Sequence, residues 1–549
     1  MKSLPTTNYV AVCRLSCVRL LVLLWSLGLG ICSSTAHAAA GPNIVYILCD
    51  DLGYGDVKAL NPDGKILTPH MDRLAAAGMY FSDAHSSSAV CTPTRYGIMT
   101  GRYNWRSRLK SGVLGGLSPR LIEPGRLTVP ALLKQHGYHT AAIGKWHLGM
   151  DWVKLAGKDV TELNIETPAQ VGNVDYSKPF ANGPLAVGFD YYFGIAASLD
   201  MVPYTFLEND RVTVLPTETR KIPMMAGREG AFTREGPAAP GFTGYEVLPT
   251  LTKKAVEHIT ARATDAKSGK PFFLYLPLAS PHTPILPTAE WLGKSGLNPY
   301  ADFVMQTDAA IGEVMAALDK AGIAEDTLLI VTSDNGCSPQ AKFDELLAKG
   351  HNPSFQFRGN KADIFDGGHR IPFIARWPGR IKPGTRSDQT ICLNDLMATC
   401  ADILGAKLPA NAGEDSVSIL PALLGKDTQP LREAIVHHSI NGSFAIRQAN
   451  WKLELCRDSG GWSAPRPGAP KAAELPPVQL YDLAKDITEK DNLQASHPEI
   501  VARLTKILEK YVADGRSTPG APQSNTTPVD IWKATKDAPK LPAKKKGEK

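Results

Sequence analysis

Residues 89–102 read Ala-Val-Cys-Thr-Pro-Thr-Arg-Tyr-Gly-Ile-Met-Thr-Gly-Arg, and they hold the chain's most reactive arrangement. Pro93 suits the first turn of a helix, which places Cys91 at a helix N-terminus. Backbone N–H groups and the helix dipole there favour an anion, and Arg95 adds a fixed positive charge on the same turn. Taken alone, the pattern fits either a buried structural cysteine or an anion site built around a reactive one.

Residues far away in sequence separate these readings. Asp50-Asp51 and Asp334-Asn335 together offer three carboxylates and an amide oxygen. Such hard oxygen donors suit Ca²⁺, or Mg²⁺, better than zinc. Any single Asp after a strand is commonly a cap or turn residue, but two such pairs favour a metal site. Lys145 and His147 in Gly144-Lys-Trp-His-Leu-Gly149, His282 in Ser280-Pro-His-Thr-Pro284, and Lys361 supply cations and proton carriers for an anionic substrate.

The elements that must position these groups alternate between strands and helices, the pattern of an α/β sheet. Apolar β-rich runs cover Asn43–Cys49, Phe272–Leu278 and Leu328–Thr332, with further strands at Thr140–Ile143 and Ile371–Arg376. Helices are predicted from Thr68-Pro69 to Gly78 and from Val129-Pro130 to Gly137. The chemistry-bearing residues follow the C-terminal ends of the strands, where α/β sheets open their ligand crevice. Residues far apart in the chain therefore converge.

With these parts in order, the chain resembles a type I, formylglycine-dependent sulfatase of the arylsulfatase branch of the alkaline phosphatase superfamily. The resemblance rests on Asp50-Asp-Leu-Gly-Tyr-Gly-Asp56, the Cys91 segment, Gly144–Gly149, Ser280-Pro-His282, Ser333-Asp-Asn-Gly336, Arg358-Gly-Asn-Lys361 and Gly367-Gly-His-Arg-Ile-Pro372. It runs from about Asn43 to Leu404 and on to Leu480-Tyr-Asp-Leu483. It implies a metal held by Asp50, Asp51, residue 91, Asp334 and Asn335. It also implies that Cys91 is converted to formylglycine by a formylglycine-generating enzyme. The hydrated aldehyde would attack sulfur, with Asp334 accepting its proton and the metal, Lys145 and Lys361 stabilising charge. His282, with Lys361, would protonate the departing alcohol, and His147 would take the proton whose loss expels sulfate. Arg95 would orient residue 91. The implied substrate is a sulfate ester of carbohydrate, a glycan or glycosaminoglycan fragment, with a 6-O- or 4-O-sulfated galactosamine unit the specific expectation. Asp200 and Tyr204 fall in a segment that could face the leaving group.

The bulk properties agree. At 549 residues, with 43% hydrophobic and 21% charged content, the chain reads as globular and too long for one ordinary core. Residues 1–38 carry Lys2, Arg14 and Arg19 and no acid, so their removal lowers the formal charge from +6 to +3. A body so nearly neutral argues against nucleic acid as partner. Arg14 and Arg19, the short apolar run Leu20–Ile31 and Ala36-His37-Ala38 read as a signal peptide over 1–38. Export follows, to a periplasmic or extracellular location, or a lysosomal one in a eukaryote, with no transmembrane segment. The fold expected is a large mixed, mostly parallel sheet sandwiched by helices over 39–430, then a smaller α+β domain over 431–515 with an antiparallel sheet and one helix. The stretch 215–249 reads as Pro- and Gly-rich surface loops, and 516–549 as a disordered basic tail. Other readings are a phosphoester or phosphonate hydrolase on the same fold, and a secreted glycan-binding pseudoenzyme. Few carboxylates are available for a second metal, which disfavours the first. No evident catalytic group is missing, which disfavours the second.

Overall fold

The computed structural model describes residues 41–157 and 167–533, so the expected signal peptide and the last residues of the tail lie outside it. Five parallel strands form the centre of a ten-stranded sheet, in the order Thr327–Ser333, Asn43–Asp50, Phe272–Pro281, His139–Lys145 and Tyr191–Ile195. Antiparallel strands extend both sides, through Phe373–Arg376 and Met79–Phe81 on one and Leu207–Glu208 on the other. The sheet is mixed but mostly parallel at its core, as the strand–helix alternation predicts.

Alternation along the central strands divides the interior in two. Val45, Ile47 and Cys49 face one apolar cluster with the long helices Val247–Lys267 and Pro299–Ala321. Ile44, Tyr46 and Leu48 face the other, which includes residues of the helices Cys91–Thr100, Val129–Gln135 and Leu396–Ile403. Because both faces are covered, these strands read in sequence as continuous apolar runs. Each large apolar side chain removed from water contributes about 1.5–3 kcal/mol, less the entropy of fixing it.

A separate antiparallel sheet follows, built from Ile435–His438, Phe444–Gln448, Trp451–Glu454 and Gln479–Asp482. The helix Pro498–Ala513 covers it with Leu504 and Leu508. Tyr103 and Trp105, just beyond the Cys91 helix, enter the same core, and Trp105 meets Phe444 edge-on at 5.4 Å. The small sheet therefore packs on the chain that leaves the reactive segment.

Two expectations need correction. Residues 516–533 do not trail as a free tail. Asn525 accepts from Arg106 at 2.9 Å, the Ser524 carbonyl accepts from Arg102 at 2.8 Å, and Ile531 is buried. Buried guanidinium groups that need acceptors order a segment whose composition reads as disordered. The stretch 215–249 is likewise more than loop. It holds a small ladder between Glu218–Arg220 and Gly236–Ala238, and the helix Val247–Lys267 starts within it.

Candidate active site

Cys91 is the first residue of its helix, after the extended Val90, and it is buried. Thr94 fixes the approach by donating from Oγ1 to the Ser88 carbonyl at 2.9 Å. Burial pushes the Cys91 thiol up, against the opposing pull of Lys145 and Lys361. A thiolate nucleophile needs the opposite shift, so the unmodified thiol is poorly suited to attack.

Asp50 and Asp51 end the Asn43–Asp50 strand, and the loop after them is folded around Asp56. Asp56 accepts from the Gly53 amide at 2.8 Å and pairs with His351 Nε2 at 2.9 Å. A Cβ on Gly55 would lie 2.1 Å from the Asn352 carbonyl oxygen, which accounts for glycine there. Asp334 and Asn335 follow the neighbouring strand Thr327–Ser333 and meet the first pair directly. Asp334 Oδ1 accepts from the Asp51 amide at 3.3 Å, and Asn335 Nδ2 donates to Asp51 Oδ1 at 2.7 Å.

Cations surround these acids. Arg95 donates from Nε and Nη2 to Asp334 Oδ2 at 3.1 and 2.8 Å, and from Nη1 to the Lys145 carbonyl at 2.9 Å. Lys145 Nζ reaches Asp50 Oδ2 at 2.5 Å, and Lys361 Nζ reaches Asp51 Oδ1 at 2.7 Å. His282 Nε2 lies 3.6 Å from Asp51 Oδ2. The eight other groups expected around residue 91 (Asp50, Asp51, Arg95, Lys145, His282, Asp334, Asn335 and Lys361) therefore fall in one buried cluster, with His147 completing it. His147 donates from Nε2 to the Leu114 carbonyl at 2.7 Å and leaves its buried Nδ1 without a partner.

Titration follows from the crowding. Burial acts to raise Asp50, but Lys145, His282 and Arg95 together hold it well below the usual carboxylate range. Asp334 goes the other way, pushed up to about 7 by burial and the Asp50 charge in spite of Arg95. Burial also lowers His147, helped by Lys145 and Arg95, so it is neutral. His282 is lowered by burial, with Asp51 opposing.

Two buried oxygens, Asp50 Oδ1 and Asn335 Oδ1, have no hydrogen-bond partner. Oxygens of Asp50 and Asp51 and a His282 nitrogen lie within 4.8 Å of one another. Buried acceptors left unsatisfied beside crowded carboxylates are what a hard divalent cation relieves, and the donor set fits one. Among the described residues one other cluster has metal-ligating types, the buried His85, His369 and His437. Its rings pack closely, with His369 and His437 stacked at 3.8 Å.

Ser198 joins the site without having been foreseen. Its Oγ lies 3.2 Å from Lys145 Nζ and 3.1 Å from His282 Nδ1. It follows the strand Tyr191–Ile195, which the sequence reading passed over.

This geometry, an oxygen-lined site at the strand ends with lysines and histidines around residue 91, defines a hydrolase acting on an anionic ester. The chain belongs to the sulfatase family: the family model named Sulfatase matches residues 42–406, and the protein is a sulfuric ester hydrolase. It is 34% identical to the N-acetylgalactosamine-6-O-sulfatase of Bacteroides thetaiotaomicron, over 85% of this chain and 92% of that one. It is 31% identical to human arylsulfatase A, over 88% and 90%. A solved sulfatase structure, from work on metabolism of multiple glycosaminoglycans by Bacteroides thetaiotaomicron, superimposes with a TM-score of 0.71 at 32% identity. That match covers 86% of this chain and 99% of the solved one.

Proposed function

We propose that the protein releases sulfate from sulfated carbohydrate, using formylglycine at position 91 and a calcium ion held by Asp50, Asp51, Asp334 and Asn335 together with residue 91. The observation that carries this reading is the pair of unpartnered buried oxygens, Asp50 Oδ1 and Asn335 Oδ1, beside a cysteine whose thiol burial keeps protonated. A calcium ion would supply Lewis-acid polarisation there, and formylglycine an oxygen nucleophile that a buried thiol does not.

The chain's own residues account for the remaining tasks. Lys145 and Lys361, anchored on Asp50 and Asp51, present ammonium charge to the sulfuryl oxygens. Arg95 spends its donors on Asp334 and the Lys145 carbonyl, so it braces the site and leaves the alcohol alone. Asp334 accepts the proton of the attacking group. His282 gives a proton to the departing alcohol oxygen, and the adjacent Asp51 carboxylate raises its proton affinity against burial. His147, neutral and with Nδ1 open, takes up a proton at that atom when sulfate leaves.

The substrate reading follows the relatives named for N-acetylgalactosamine-6-O-sulfate and for glycosaminoglycan metabolism. A 6-O-sulfated N-acetylgalactosamine unit is the first choice, with the 4-O-sulfated unit next. The signal-like residues 1–38 support export, and among the described residues no helix is long and apolar enough to cross a membrane. Maturation requires a formylglycine-generating enzyme in the producing cell. The test is sulfate release from a panel of sulfated saccharides and one aryl sulfate, with residue 91 converted and calcium present. Release is expected from 6-O-sulfated N-acetylgalactosamine. It should disappear in Cys91→Ala, and on chelation until calcium is restored. Substantial turnover by Cys91→Ala would overturn the mechanism, and no release from any member by converted protein would overturn the function.

A further inference from the structure

Outside the catalytic cluster, the buried polar atoms that lack hydrogen-bond partners include two of opposite charge in segments next to it, Asp200 Oδ1 and Arg234 Nη1. Both belong to segments that flank His282, the side of the site where the alcohol departs. Ser198, which touches His282, opens a turn closed by the Met201 amide donating to the Ser198 carbonyl at 2.9 Å, and Asp200 sits inside that turn. Arg234 follows a hairpin pinned to the chain just beyond His282. The Ile285 amide donates to the Met224 carbonyl at 2.9 Å, and the Ala226 amide to the Ile285 carbonyl at 2.9 Å. The two segments are tied together as well, since the Tyr204 hydroxyl donates to the Arg234 carbonyl and lies 2.8 Å from Thr233 Oγ1.

We infer that Asp200 and Arg234 form the subsite for the sugar that carries the sulfate, and that this subsite takes hydroxyls of a neutral pyranose in preference to a uronate. The inference rests on the proposed sulfated-carbohydrate function and names its substrate class. Buried polar atoms without partners call for a ligand or ordered water. A sugar hydroxyl both donates and accepts, so it satisfies a carboxylate oxygen and a guanidinium nitrogen alike. A uronate carboxylate could pair with Arg234 but would face the Asp200 charge, a repulsion that costs most where water is excluded.

The test compares kcat/KM for a 6-O-sulfated N-acetylhexosamine, a disaccharide ending in a 2-O-sulfated uronate, and an aryl sulfate. Wild type, Asp200→Ala and Arg234→Ala are measured, with Asp200→Asn and Arg234→Lys as gentler variants and thermal melts as fold controls. Wild type should favour the hexosamine over the uronate by roughly tenfold or more. Each alanine variant should lose roughly tenfold or more on the hexosamine relative to its change on the aryl sulfate, since a buried partner is left unpaired. Equal losses on hexosamine and aryl sulfate, no loss on the hexosamine, or a wild-type preference for the uronate would overturn the subsite. Failure of the parent reading has a different signature, a converted wild type that releases sulfate from nothing in the set.

Discussion

Acid should weaken this protein through histidines that take no part in catalysis, and His437→Gln measures how much. His85, His369 and His437 are fully buried between the segment leading to Cys91 and the small sheet. His437 Nδ1 lies 3.3 Å from the Ser86 carbonyl, and the neighbouring His438 carbonyl accepts from the Ala89 amide at 2.9 Å. Burial lowers all three, His85 to about 4 against the opposing pull of Asp83, and the other two well below the ordinary value with Lys452 adding to the effect. A group whose proton affinity falls on folding contributes stability above its unfolded pKa, about 6.5 for histidine, and loses it as pH falls below that. At pH 5 one histidine kept neutral costs about 2 kcal/mol relative to pH 8, from 1.36 kcal/mol per unit. Three cost about 6 kcal/mol, comparable to the whole stability of an ordinary domain. Glu489 and Glu454 are shifted up by burial against the pull of Lys452, which offsets part of this. The informative quantity is therefore the difference between proteins. Urea unfolding of wild type and His437→Gln at pH 8 and pH 5 should show wild type losing about 2 kcal/mol more than the variant. Parallel losses would refute the buried, neutral assignment of His437.

Ser198→Ala removes the hydroxyl between Lys145 and His282, and should lower kcat roughly tenfold or more while the thermal midpoint stays near that of wild type. Loss of stability with kcat retained would make Ser198 structural only. A chain ending at Gly515 removes the acceptors that Asn525 and Ser524 give to Arg106 and Arg102, and the burial of Ile531. It should be less stable than the full chain by about 2–4 kcal/mol in urea unfolding, and equal stability would mean that the strap is idle.

Much of this was legible in the sequence for identifiable reasons. Strands such as Asn43–Asp50 and Phe272–Pro281 are covered on both faces, so they appear as unbroken apolar runs with their polar residues delivered just past the end. The strand Tyr191–Ile195 escaped because it is short and contains Gly194. That glycine is demanded by a partner strand rather than by its own segment: a Cβ there would lie 1.8 Å from the Gly144 carbonyl oxygen. Ser198 was lost with it. The order of the strap 516–533 is hidden in the sequence for a similar reason. Its composition promises little local order, and what orders it is Arg102 and Arg106, more than 400 positions away in the chain. The sequence places Asp200 in the segment expected to face the leaving group, but only the fold pairs that segment with Arg234.

The most direct test of the central claim uses preparations that differ only in the fraction of residue 91 converted to formylglycine, read by peptide mass. Sulfate release from 6-O-sulfated N-acetylgalactosamine is measured for each, with calcium present. The account predicts a rate proportional to the converted fraction, falling to nothing for the unconverted thiol. A rate independent of conversion would contradict it, and so would silence from the fully converted protein on every sulfated saccharide tested.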